Sequence, residues 1–212
     1  CKKGNFCGNA LDMTVLKVRG FVVHKGFLPL STQQKIVACL RDIAGQAPFF
    51  SPVTPGGHNM SVRMTSAGAV GWTSGVEGYR YADEHPTGVL WPAIPNPILA
   101  IWTSVSGVTR APDSCLINYY GADARMGLHQ DRDEADFSWP VVSVSLGDAG
   151  LFRMGGAERG GKTDTLWLES GDVVVMSGAA RLNYHGVDRI RFGSSTLLPK
   201  GGRINLTMRV AT

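Results

Sequence analysis

The chain has no apolar run approaching the roughly 18 residues a membrane-spanning helix needs, so no helical membrane span is expected. Cysteine is scarce: four residues in 212 (Cys1, Cys7, Cys39, Cys115), with no C-x-x-C pair. That spacing excludes a disulfide framework and paired-thiolate zinc sites, and points to a reducing, cytoplasmic compartment. Cys39 and Cys115 read as small buried hydrophobes. H-E-x-x-H is absent, as is H-x-E with P-C-x-x-C, which leaves zinc proteases and zinc deaminases unsupported. Neither the G-x-S-x-G nucleophile turn nor a dinucleotide-binding glycine fingerprint occurs. Charge of one sign is not in large excess: 21 Lys and Arg against 17 Asp and Glu leave a net charge of +4, which permits a nucleic-acid partner without demanding one. The chain starts Cys1-Lys2-Lys3-Gly4-Asn5-Phe6, without Met and without the apolar core of a signal peptide.

What is abundant is glycine, 27 residues, falling in turn-like pairs such as Gly155-Gly156, Gly160-Gly161 and Gly201-Gly202. Such punctuation suits many short strands joined by tight turns. From Ser114 onward the expected strands are 115–120, 126–130, 141–146, 151–154, 165–168, 173–176, 182–185 and 203–209. Eight short, closely spaced strands predict a jelly roll or related double-sheet barrel. Before them, Thr14 to Val23 alternates as a strand and Met60 to Met64 as a short one. Ile36, Val37, Leu40, Ile43 and Ala44 recur at helical spacing, predicting a helix over 32–45 with Ser31 as N-cap and Gln34 completing a capping box. A second helix is expected over 98–107, and the aromatic-rich stretches 68–72 and 78–81 read as loop or hairpin. No repeat, low-complexity tract or linker divides the chain, so one large domain is expected.

Two residue constellations carry chemistry. His129 and Asp131 are two apart, so on a strand both point to one face, and His185 arrives far downstream. Two imidazoles and a carboxylate form the set that holds Fe(II) on one side and leaves positions for substrate and O2. His-x-Asp alone is a weak signal. The cluster Asp131-Arg132-Asp133-Glu134 also reads as a solvated loop, and Asp172 as a turn residue. Arg203-Ile204-Asn205-Leu206-Thr207-Met208-Arg209 alternates strictly, placing Arg203, Asn205, Thr207 and Arg209 on one face. Arginines pointing into a barrel need an anion, and a small dicarboxylate would meet them through bidentate bonds. The alternative is the outer face of an edge strand. Asn118 and Tyr120, also two apart, would donate hydrogen bonds to the same anion.

In combination these residues carry a resemblance. V-T-P-G-G (53–57), M-S-V (60–62), G-W-T (71–73), N-x-Y (118–120), L-H-Q-D (128–131), V-S-V-S-L-G (142–147), G-D-V-V-V (171–175), Y-H-G (184–186) and R-x-N-x-x-x-R (203–209) occur in order. From about Phe21 onward the chain resembles the AlkB family of Fe(II)- and 2-oxoglutarate-dependent dioxygenases, of the bacterial alkylation-repair type. The resemblance implies an α+β, mainly β fold: a double-stranded β-helix (jelly roll) with flanking helices and a nucleotide-recognition lid on its N-terminal side. Residues 1–20 would be an N-terminal extension and 21–212 one domain, with the lid about 50–85 and the core about 114–212. It implies iron held by His129, Asp131 and His185, which are also the catalytic residues. 2-Oxoglutarate would be held by Arg203 and Arg209, with Asn118, Tyr120 and Asn205 completing its pocket. Trp72 and Tyr79 would lie in the lid, His129 would stack on the damaged base, and Asp133 would read its exocyclic amino group. Arg132 and Arg159, with Lys162, would meet the phosphates. Residues 75–85 and 154–165 depart from the bacterial pattern, on the substrate side.

The activity implied is oxidative demethylation of 1-methyladenine- and 3-methylcytosine-type lesions in single-stranded DNA or RNA, by a monomer, with 2-oxoglutarate and O2 consumed and succinate, CO2 and formaldehyde released. The rival readings are a related dioxygenase acting on RNA or tRNA bases, and a non-catalytic nucleic-acid-binding β-domain with a structural metal.

Overall fold

Arg19 and Gly20 both take positive φ (49° and 83°), and this primed turn folds the stretch expected as one strand, 14–23, into a hairpin of β1 (Val15–Val18) and β2 (Phe21–His24). The computed structural model describes residues 14–54, 56–75 and 77–212; Cys1, Cys7 and the first part of the expected N-terminal extension lie outside them. Along the chain follow α1 (Leu30–Gln46), β3 (Arg63–Gly68), β4 (Gly71–Gly75), β5 (Gly78–Ala82) and α2 (Asn96–Val105). Then come β6 (Ser114–Tyr120), β7 (Met126–His129), β8 (Val141–Gly147), β9 (Ala149–Met154), β10 (Asp164–Leu168), β11 (Val173–Met176), β12 (His185–Arg191) and β13 (Arg203–Arg209).

The first helix forms as its apolar period predicts, burying Ile36, Val37, Leu40 and Ile43, but it starts differently. Pro29 is the N-cap, no side chain caps the first turn, and the Ser31–Gln34 capping box does not form. Proline pre-sets the entry φ, so Ser31 falls inside the first turn instead of before it. Gln33 ties this end down: its amide donates to the Leu28 carbonyl (2.7 Å) and accepts from Ser170 Oγ (2.6 Å). The second helix carries Pro97 in its first turn, where a missing N–H costs nothing, and buries Ile98, Ile101 and Trp102.

Two antiparallel sheets face each other, in the order β1-β2-β11-β8-β13-β6-β3 and β10-β9-β12-β7, with β4-β5 as a separate hairpin. This is the mainly β, double-sheet architecture expected. Alternation builds two cores. Ile204, Leu206 and Met208 of β13 pack with Cys115, Ile117, Val142, Val144 and Leu146 against the helices. On the other side Phe21, Val23, Leu116, Tyr120, Phe152, Met154 and Val174 fill the space between the sheets.

Several local expectations shift. The strand expected over 182–185 instead begins at His185, after a 3-10 turn at Gly178–Ala180. The strand expected over 60–64 starts at Arg63. Cys115 is fully buried, whereas Cys39 is only partly so. Asp172 is a buried turn residue as expected: it accepts from the Gly26 amide (2.8 Å) and the Glu169 amide (2.7 Å) and pairs with Lys25. Gly156 to Thr163 (G-A-E-R-G-G-K-T) satisfies the letters of a phosphate loop. It is the connection of the antiparallel β9–β10 hairpin, with no helix following, so the helix N-terminus that such a loop needs is missing. Among the described residues, no helix is long and apolar enough to cross a membrane.

Candidate active site

Between the sheets lies a cavity of about 430 Å³, lined by residues of both and by Trp72 and Tyr79 of the β4–β5 hairpin. His129 is the last residue of β7, and His185 the first of β12, directly opposite it in the ladder. The two rings approach to 4.6 Å between centroids. Gly186 permits this close passage: a Cβ there would lie 2.6 Å from the Met126 carbonyl and 2.7 Å from that of Gly127. Asp131 sits just beyond β7, not on the strand, and its Oδ1 and Oδ2 lie 3.7 Å and 3.8 Å from Nε2 of His129 and His185. One ligand atom from each of the three residues falls within 4.8 Å of the others.

The ring tautomers follow from the neighbours. Nδ1 of His129 meets the Gly127 carbonyl at 2.9 Å, and Nδ1 of His185 meets the Asn183 carbonyl at 3.0 Å. A carbonyl only accepts, so each Nδ1 bears the proton and each Nε2 turns its lone pair to the cavity. Burial, reinforced by neighbouring His129, lowers the His185 pKa to about 4, so the ring is neutral at pH 7. Burial works to raise the Asp131 pKa, but the Arg209 guanidinium and the two imidazoles hold it well below the usual carboxylate range. A buried ionised carboxylate whose Oδ2 has no hydrogen-bond partner among the described residues, beside two imidazole lone pairs, fits a divalent cation.

The strand carrying the arginines is central, between β8 and β6, which rules out the edge-strand alternative. Arg203, 1% exposed, donates from Nη2 to Ser145 Oγ (2.9 Å), while its Nε and Nη1 have no partner among the described residues. Gly150 makes its room, since a Cβ there would sit 2.9 Å from the Arg203 side chain. Asn118 Oδ1 is likewise buried without a partner, and the Tyr120 ring lies under the guanidinium at 5.3 Å. Burial pushes the Tyr120 hydroxyl up to about 12, so it stays a neutral donor. The cluster fits a small carboxylate anion.

The other three members of this face, Asn205, Thr207 and Arg209, are already engaged. Asn205 donates to Ser143 Oγ (2.7 Å) and the Val144 carbonyl (3.1 Å) and accepts from Thr207 (3.0 Å). Arg209 faces Asp131 Oδ1 at 2.8 Å and Glu134 Oε1 at 3.2 Å. Burial opposes its charge, but Asp131, Tyr81 and Glu134 together hold its pKa above the usual value.

At the mouth, Trp72 stacks on Tyr79 (5.2 Å, 24°) and donates its indole N–H to Asp133 Oδ2 at 2.8 Å. Tyr79 is 49% exposed. Arg132 and Arg159 line the cavity; Lys162 does not. Glu134, Arg181 and Tyr81 escaped the sequence reading as site residues. Glu134, placed there in a solvated loop, is buried between Arg181 (2.9 Å), Arg209 and the Tyr81 hydroxyl (2.7 Å). The alternation Gly78-Tyr79-Arg80-Tyr81 did hold one clue, since Tyr79 and Tyr81 share a strand face.

A family model described as the 2OG-Fe(II) oxygenase superfamily matches residues 20–209. An "Alpha-ketoglutarate-dependent dioxygenase AlkB homolog" of Caulobacter vibrioides is 53% identical over 195 residues, covering 92% of this chain and 89% of that protein. A "DNA N(6)-methyladenine demethylase ALKBH1C" of Arabidopsis thaliana is 33% identical over 90% of this chain, which spans 48% of its length. A solved structure of OsALKBH1 superposes with a TM-score of 0.78 at 30% identity, covering 92% of this chain and 99% of that one. With its jelly-roll sheets, its two-imidazole, one-carboxylate cluster and its cationic strand, this chain belongs to the 2OG-Fe(II) oxygenase superfamily and, within it, to the AlkB dioxygenases.

Proposed function

We propose that the chain oxidatively removes N-methyl groups from 1-methyladenine- and 3-methylcytosine-type bases in single-stranded DNA or RNA. The observation that carries this is the meeting, in one cavity, of the His129, Asp131 and His185 ligand atoms with two free nitrogens of Arg203, under an aromatic pair at the mouth. The Arabidopsis relative, named as a DNA N(6)-methyladenine demethylase, supports the substrate class. Fe(II), when bound, supplies the coupled oxidation: 2-oxoglutarate and O2 become succinate and CO2, one oxygen enters the N-methyl group, and the hydroxymethyl adduct releases formaldehyde.

The chain's own residues supply placement. His129, Asp131 and His185 would hold the metal through Nε2, a carboxylate oxygen and Nε2. Arg203 would grip the far carboxylate of the keto acid, with Asn118 and Tyr120 beside it, while Asn205 and Arg209 hold the pocket's shape. Trp72 and Tyr79, on a hairpin we assign as the lid, would stack on an extruded base, a contact worth about 1–3 kcal/mol. A lesion that pairs poorly costs less to unstack, which favours damaged and single-stranded substrates. Arg132 and Arg159 would meet phosphates, making binding salt-sensitive. The roles assigned need no second copy of the chain, so we assign action as a monomer, and scarce cysteine without a C-x-x-C pair suits a reducing, cytoplasmic setting.

Anaerobic addition of Fe(II) and 2-oxoglutarate should give a weak visible charge-transfer band, and O2 with a methylated oligonucleotide should then release formaldehyde. A missing band overturns the dioxygenase site; a band with no formaldehyde from either DNA or RNA overturns the substrate class. Parallel DNA and RNA oligonucleotides separate the two polymers.

Asp133 tests the substrate side. Its carboxylate already accepts an N–H from Trp72 at the mouth. Asp133→Ala should change the ratio of 1-methyladenine to 3-methylcytosine turnover while leaving substrate-free 2-oxoglutarate decay intact. If that decay also disappeared, Asp133 would belong to the metal site instead.

A further inference from the structure

Around Asp131, which lines the same cavity as Arg203, four charged groups are buried together. Arg209 bridges Asp131 Oδ1 (2.8 Å) and Glu134 Oε1 (3.2 Å). Arg181 donates to Glu134 Oε2 (2.9 Å), to the Asp131 main-chain carbonyl (2.6 Å) and to the Trp139 carbonyl (2.9 Å). The Tyr81 hydroxyl, from the strand that also carries Tyr79, donates to Glu134 Oε1 at 2.7 Å. Glu134 is 6% exposed and Arg181 3%. The two guanidiniums and two carboxylates cancel, so the cluster is neutral before a cation arrives.

We propose that Glu134 is a positioning residue for the metal site, acting through Arg209 on Asp131, and that Tyr81 links the same carboxylate to the β4–β5 hairpin. The proposal rests on Asp131 being a metal ligand. Without the Glu134 charge, Arg181 and Arg209 would face Asp131 alone, and the cluster would hold a net positive charge that repels a divalent cation. Arg209 would also turn wholly to Asp131 and compete for the oxygens that a metal needs. Shared between two acids, it orients Asp131 without neutralising it. The hairpin reaches this arrangement through one hydrogen bond: Tyr81 and Arg209 contact the same oxygen of Glu134, so a shift of β5 changes what Arg209 can reach. Outer groups of this kind typically carry 10–100-fold in metal affinity.

The test uses Mn(II), which binds without turnover, titrated into the full chain. Glu134→Gln should raise the Mn(II) Kd about 10–100-fold, and Glu134→Asp, which keeps the charge, should recover most of the loss. A purely structural role would lower the urea midpoint and leave the Kd of the folded protein unchanged, and a Kd within about threefold of wild type overturns the proposal. Tyr81→Phe keeps the ring and removes the bond. In wild type, Mn(II) should slow amide exchange over Gly78–Ala82, and in Tyr81→Phe that slowing should vanish; equal slowing in both overturns the hairpin link, and this arm stands even if Glu134→Gln does not fold. Wild-type Mn(II) binding and hairpin slowing without formaldehyde release would overturn the demethylase reading alone. Normal demethylation with unchanged Kd in Glu134→Gln would overturn only the role of Glu134.

Discussion

Asp131→Ala should abolish formaldehyde release, by about 10³-fold or more, and should also destabilise the folded chain. The activity loss is expected because Asp131 is the one anionic member of the candidate ligand set, the group that would offset the charge of a divalent cation. A barrier or binding cost of about 4 kcal/mol corresponds to that factor. The stability loss has a different origin. Asp131 pairs with Arg209 at 2.8 Å and lies beside Arg181, both nearly inaccessible to solvent. Removing one partner of a buried pair costs about 3–5 kcal/mol, and the lower end applies because Glu134 still faces Arg209. Asp131→Asn keeps the volume and one hydrogen bond to Arg209, so it should lose activity as completely and stability much less. Urea unfolding and formaldehyde assays on both variants check this. Retention of more than a tenth of wild-type turnover in either would remove Asp131 from the metal site.

Arg203→Met should move binding and stability in opposite directions. In the ligand-free chain Arg203 is a buried cation with two nitrogens lacking partners, held by one bond to Ser145 and by the Tyr120 ring. Such a charge is costly, and burial lowers its pKa accordingly. Methionine fills similar space without the charge, so the unliganded protein should be as stable as wild type or more so. Binding of 2-oxoglutarate should fall sharply. Two charge-assisted bonds to a carboxylate are worth about 3 kcal/mol together, a factor of about 100 in the 2-oxoglutarate KM. 2-Oxoglutarate at about 100 times the wild-type Kd should raise wild-type stability by about 2.7 kcal/mol and that of the variant by only about 0.4 kcal/mol. A variant that keeps the wild-type shift, or that unfolds several kcal/mol more easily without ligand, would show Arg203 to be structural.

Much of this site is legible in the linear chain because its key residues sit at strand spacing. Alternation along 203–209 separates Arg203, Asn205, Thr207 and Arg209 from Ile204, Leu206 and Met208, and the two sets face the cavity and the helical core respectively. Asn118 and Tyr120 follow the same rule on β6. Local signals failed where a neighbour outweighed them. Ser31 and Gln34 spell a cap, but Pro29 starts the helix earlier. The stretch 14–23 alternates like one strand, yet Arg19 and Gly20 reverse it. Glu134 lies among charged residues typical of solvent, and only the arrival of Arg181, Arg209 and Tyr81 from distant positions makes its burial tolerable.

By itself the sequence determined the strand periods, the helices and the ordered motifs that mark the family, because side-chain direction along a strand depends only on the local backbone. The tertiary structure decided which polar faces turn inward and how the charges there are divided. His185 joins His129 only because β12 and β7 pair at a glycine that lets their backbones touch. Among the described residues Arg203 meets no acid, while Arg209 forms ion pairs with Asp131 and Glu134, although both stand on one face of one strand. Coulombic partners act through space, and no pattern in the order of residues states which acid will stand opposite which base.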